Sequence, residues 1–103
     1  MQATVAEELS IETEWLREYA SAYLPCEGGF KFTPEMFRRE AVSIVDIRNV
    51  FRHGVVTYAD KLDEPGALWI VRGYDGDGGY IVAEIVVVSE TYDVDVRNVK
   101  RVL

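Results

Sequence analysis

His53 is the only histidine in the chain, and it stands directly before Gly54 at the end of an apolar-periodic segment. Imidazole is the one ordinary side chain whose charge changes near neutral pH. With an arginine to hold phosphate, it can act as general base or acid in RNA cleavage. Arg72 or Arg48 can supply that positive charge, and Tyr74 or Tyr92 a supporting hydroxyl. Asp46 lies seven residues earlier, on nearly the same face of a helix. The catalytic reading therefore rests on His53, Arg72 and Tyr92. A structural reading competes with it: in the last turn of a helix, a cationic imidazole meets the negative end of the helix dipole.

Asp75, Gly76, Asp77, Gly78 and Gly79 make an acidic, glycine-rich loop. Calcium takes roughly six to eight oxygen ligands, which an EF-hand gathers over a longer loop closed by a glutamate. Here two carboxylates run straight into Tyr80 and a strand pattern, so the loop reads as a hairpin turn whose glycines take positive φ. It also lacks the lysine and following helix of a phosphate-binding loop. Cys26 is the single cysteine and lies between Pro25 and Glu27. One thiol forms no internal disulfide and argues against a cysteine-based zinc site, and a nucleophilic thiolate needs a base beside it. No pattern calls for a metal or a cofactor.

The net charge is −7, shared by both halves: residues 1–54 carry six basic and nine acidic groups, residues 55–103 five and nine. Nucleic-acid backbones attract basic surfaces, so general nucleic-acid binding is disfavoured, although Arg38, Arg39, Arg48 and Arg52 are close enough for a local basic patch. An acidic surface suits solubility or a basic protein partner. Trp69, Tyr74 and Tyr80 combine large apolar area with a polar handle, as interface residues do. Glu84 interrupts the apolar stretch around it. A lone carboxylate resists burial, so Glu84 is expected to pair with Arg72 across the hairpin or to meet a partner. With Asp93 and Asp95, these residues form the candidate binding surface.

The elements that carry them are legible in outline. At 103 residues, 49% hydrophobic and 28% charged, the chain reads as one globular domain spanning 1–103. No window is long and apolar enough for a membrane span, and no leader pattern is present, so the cytoplasm is the default location. Thr4 with Glu7, or Ser10, offers a helix start. Trp15, Leu16, Tyr19, Ala20 and Tyr23 then mark one apolar face, up to Pro25 and Gly28–Gly29. Phe30–Phe32 reads as a short extended segment. Thr33, Pro34 and Glu35 start a second helical region, either one long helix or two, over 34–41 and 43–53. In the two-helix version Ser43 and Asp46 form a capping box. Past Gly54 the period becomes two, over 55–60, 67–74, 80–88 and 92–96. The third of these strands is apolar on both faces apart from Glu84, so its second face needs cover from helix one or from another subunit. The expected fold is α+β, with amino-terminal helices packed against a three- or four-stranded antiparallel meander. Residues 45–52 (VDIRNVFR) are echoed by 94–101 (VDVRNVKR), but one copy has a helical context and the other a strand context, so the echo reads as coincidence.

Over residues 36–96, the order helix, Gly54, strand, Pro-Gly turn, strand, Gly-rich turn, strand resembles small toxin domains of the RelE and MqsR kind. That resemblance implies RNA cleavage or binding to the translation machinery. It carries no diagnostic motif, so His53, Arg72 and Tyr92 are assigned by position alone. Composition and aromatic content favour a different class, a small acidic protein-binding module such as an inhibitor, immunity or antitoxin-like protein directed at a basic or nucleic-acid-processing partner. A structural homodimer is the third expectation, raised by the two-sided strand at Tyr80–Val88.

Overall fold

Ser43 and Asp46 do form the capping box: the Ser43 hydroxyl accepts the Asp46 N–H at 3.1 Å, and the Asp46 carboxylate accepts the Ser43 N–H at 2.9 Å. Two orphan donors at the helix start are thereby satisfied. In the computed structural model, which describes residues 9–22 and 30–102, this box opens α3 (Ile44–His53). Before it come α1 (Ser10–Ala22) and the short α2 (Pro34–Arg39). Helical periodicity breaks between α2 and α3 because Ala41 takes φ +56°, so the two-helix version is the one observed. Thr33 occupies the cap position of α2 without making a side-chain cap bond, contrary to the expectation from its sequence. The proposed Thr4–Glu7 start, Tyr23, Pro25, Cys26 and Gly28–Gly29 lie outside the described residues.

Beyond α3 the chain forms β1 (Val55–Lys61), β2 (Ala67–Tyr74), β3 (Tyr80–Val88) and β4 (Asp93–Arg101). They make one antiparallel sheet in chain order, and the fold is α+β with helices against a four-stranded meander. Tyr92 falls in the preceding turn, at φ +57°, rather than in the strand. Register shifts leave Thr57 as the extra residue of β1 and Arg97 as that of β4. Each bulge changes which parity of residue faces the core.

The core lies between the helices and one face of the sheet. Leu16, Ile47, Val50 and Phe51 meet Val56, Val71, Ile81, Ala83 and Ile85, all nearly inaccessible to solvent. The first helix packs on this same side. The Thr13 hydroxyl accepts the Val56 N–H at 2.9 Å, and the Leu9 N–H donates to the Val56 carbonyl at 2.8 Å. Helix one therefore does not cover the second face of β3.

Polar contacts also finish the far strand. Lys31 pairs with β4, donating to Val94 and accepting from Val96, and the Arg101 N–H reaches the Glu40 carboxylate at 3.1 Å. Two glycines set how closely α3 approaches β2. A Cβ on Gly54 would lie 2.5 Å from the carbonyl oxygens of Arg72 and Val50, and one on Gly73 would lie 2.8 Å from the Gly54 Cα. That contact brings the end of α3 against the end of β2.

Candidate binding face and cleft

Because Gly54 and Gly73 touch, His53 at the end of α3 stands beside Arg72 of β2. A cleft of about 220 Å³ is lined by His53, Val55, Arg72, Tyr74 and Tyr80 together with the two glycines. Tyr74 and Tyr80 are cross-strand partners and meet edge to face, ring centroids 4.9 Å apart. The structure thus gathers two of the three nominated catalytic residues and two of the nominated binding residues. His53 is exposed. The Nε of Arg72 is buried and finds no acceptor, alone in this among buried side-chain nitrogens and oxygens of the described residues. A buried guanidinium donor with no acceptor is costly.

The third nominated residue is elsewhere. Tyr92 precedes β4, at the end of β3 remote from Tyr80, and stacks on Trp15 with centroids 6.0 Å apart. With Trp15, Glu18, Tyr19 and Ala22 it lines a separate cleft of about 230 Å³. The nine residues of β3, spanning roughly 27 Å, separate Tyr92 from Tyr80. Tyr92 is therefore not part of one site with His53 and Arg72. Burial pushes the phenol of nearby Tyr19 above its ordinary value, and the charge of Asp93 adds to the shift.

Asp46 does not serve His53 either. Its carboxylate caps its own helix and lies 3.5 Å from the Arg101 guanidinium. Arg101 is a hub that the sequence did not announce. It also donates to the Asp75 carboxylate at 2.7 Å and to the Ala41 carbonyl at 3.0 Å. Asp75 in turn accepts the N–H groups of Asp77 and Gly79 at 2.7 and 3.0 Å. The bond from Arg101 and these backbone donors hold the Asp75 carboxyl below the usual carboxylate value, against an opposing push from its partial burial. The acidic loop is a hairpin turn clasped by an arginine. Among the described residues no group of three or more His, Cys, Asp or Glu is placed to hold a metal ion, and no helix is long and apolar enough to cross a membrane.

Strand register divides the remaining residues between two faces. Away from the helices, four ladder rows cross the sheet: Val55–Arg72–Val82–Lys100, Tyr58–Ile70–Glu84–Asn98, Asp60–Leu68–Val86–Asp95, and Val88–Asp93. Tyr74 and Tyr80 extend this face at one end. Five of the six nominated binding residues, Tyr74, Tyr80, Glu84, Asp93 and Asp95, therefore share the outer face. Trp69 does not. Directly opposite Ile85, it is 8% exposed in the core and meets Trp15 edge on, so it serves packing rather than binding. Glu84 sits opposite Ile70 and Asn98, which makes Arg72 a diagonal neighbour. No Glu84–Arg72 ion pair forms, and Glu84 is half-buried.

Asp60 and Lys100 belong to this face and were not singled out from the sequence; only the register across each bulge reveals them. Apart from the β1–β2 turn, which brings Gly66 against Val86 and Val88, no described element lies over the outer face. Comparison with known proteins adds no relative to this picture: no family model, no curated protein and no solved structure matches the chain.

Proposed function

We propose that the chain is a small acidic protein-binding module that docks a partner on the outer face of its sheet. The observation that carries this reading is the convergence of Tyr74, Tyr80, Glu84, Asp93 and Asp95 on the face opposite the helices, around the half-buried apolar residues Leu68, Ile70 and Val82. An apolar centre with a polar rim is the anatomy of a protein interface. The carboxylates of Asp60, Asp93 and Asp95 at one end are chemistry that basic groups would meet, which fits an inhibitor, immunity or antitoxin-like role. A cytoplasmic setting goes with the proposal, since a single cysteine leaves no internal disulfide to maintain.

The test is recovery of a partner from source lysate by the whole chain, compared with Ile70→Lys and Val82→Glu. Both substitutions put charge into the centre of the face and leave the core untouched. Loss of capture in both, with unchanged circular dichroism, is expected; capture indifferent to both refutes the reading.

A second reading is favoured by one observation, the shared cleft of His53 and Arg72. In it the protein is an RNase-like enzyme, with His53 as general base or acid and Arg72 holding phosphate. Replacing His53 by Gln should abolish RNA cleavage with the fold intact, and unchanged cleavage would end this reading.

A further inference from the structure

We infer that the occupant of the outer face is a second copy of this chain, related by a two-fold axis that runs across the strands. The inference rests on the face being a docking surface, as proposed above, and names what docks there.

The reason is the distribution of charge along the strands. One end of the face carries Arg72 and Lys100, on the same ladder row. Toward the other end lie Asp60, Asp95 and Asp93, with Arg97 bonded to Asp95 at 2.8 Å. Between them lies the row Tyr58, Ile70, Glu84 and Asn98. Rows four residues apart along a strand are separated by roughly 14 Å. A two-fold axis passing across the strands near Ile70 reverses strand direction. It sets Lys100 over Asp95 of the second copy, and Arg72 beside Asp60 of the second copy. An axis along the strands would instead lay the row holding Arg72 and Lys100 over the same row of the second copy, basic end on basic end, so the charges select one of the two symmetric arrangements.

Size is consistent with a weak, closed dimer. The three rows that cross all four strands span roughly 19 by 20 Å, on the order of 400 Å² per copy and 800 Å² in total. That is no larger than the smallest specific interfaces, so only weak association, in the high-micromolar range, is expected. Glu84 is the opposing group. Near the axis it faces its own copy, and only the amide of Asn98 lies opposite it on the neighbouring strand.

Sedimentation velocity of the full chain between about 1 μM and 500 μM tests the inference. Wild type should shift from monomer to dimer, and Glu84→Gln should shift at several-fold lower concentration. Arg72→Glu with Lys100→Glu should stay monomeric, as should Asp60→Lys with Asp95→Lys. An equimolar mixture of the two double variants should dimerise again. Should either double variant lose its folded circular dichroism, Lys100→Glu and Asp95→Lys alone carry the same test, since these two residues face each other across the axis. Three results would overturn the inference: a wild type that is monomeric throughout, dimers that ignore the charge reversals, or folded variants that do not recombine. A monomer whose lysate capture is still lost with Val82→Glu would sink the self-association alone and leave the docking face standing. A monomer indifferent at that position would remove both.

Discussion

Replacing Thr13 by Val removes one oxygen and almost no volume. In the native protein that oxygen accepts the Val56 N–H at 2.9 Å, with Thr13 2% exposed and Val56 fully buried. After the change the N–H has no acceptor and water cannot reach it. The cost of an unsatisfied buried donor is about 1–3 kcal/mol. Helix propensity contributes little, because Thr and Val rank together. Thr13→Ser is the control: it keeps the acceptor and deletes a methyl group, at about 1 kcal/mol. In urea, a loss of about 2 kcal/mol with a slope of about 1–2 kcal/mol/M lowers the midpoint by roughly 1–2 M at constant slope. Thermal melts should fall by roughly 10 °C, and amide exchange at Val56 should accelerate. A Thr13→Val midpoint within error of wild type, or a Ser variant weaker than the Val variant, would show that the edge of β1 is held by packing and not by this bond.

Gly73→Ala forces α3 away from β2, since the new Cβ would sit 2.8 Å from backbone; a stability loss of about 1–3 kcal/mol is expected in urea melts. Asp75 supplies acid sensitivity. Its folded carboxyl titrates lower than the unfolded one, so its stabilising effect is complete above the ordinary carboxylate pKa and is lost as pH falls through that value and below. Urea midpoints measured from neutral to acid pH should fall less steeply for Asp75→Asn, which has no carboxyl to protonate. Tyr19 has the opposite sign: its raised phenol favours the folded state below about pH 10 and ceases to do so as pH rises through the folded value. Difference absorbance of wild type against Tyr19→Phe should place its ionisation later than that of an ordinary tyrosine.

Sheet order was legible because the strands are joined by short turns, which leave only an antiparallel meander in chain order. The bulges at Thr57 and Arg97 were not legible. A parity count carried past Arg97 puts Val99 on the wrong face, whereas it is buried in the core. The two related octets are the clearest lesson about context. Six of eight residues are identical, yet residues 45–52 are helical and 94–101 form a strand. The first follows a capping box; the second follows a turn that lays it against β3. His53 and Arg72 meet through a contact between Gly54 and Gly73 that no spacing announces. The Arg101 hub joins groups far apart in the chain, and side-chain reach of that kind leaves no periodic trace.

Leu9 and Thr13 on β1, and Lys31 and Glu40 on β4, occupy backbone groups at the two margins of the sheet. Another strand adding at those points would first have to strip these bonds. Growth by edge-on addition, the route to fibres, is therefore obstructed at both ends. A two-fold contact through the outer face, as proposed, would stop at two copies, because it uses the same patch on both. Thr13→Val, which opens one of these margins, should therefore seed higher-order aggregates on prolonged incubation.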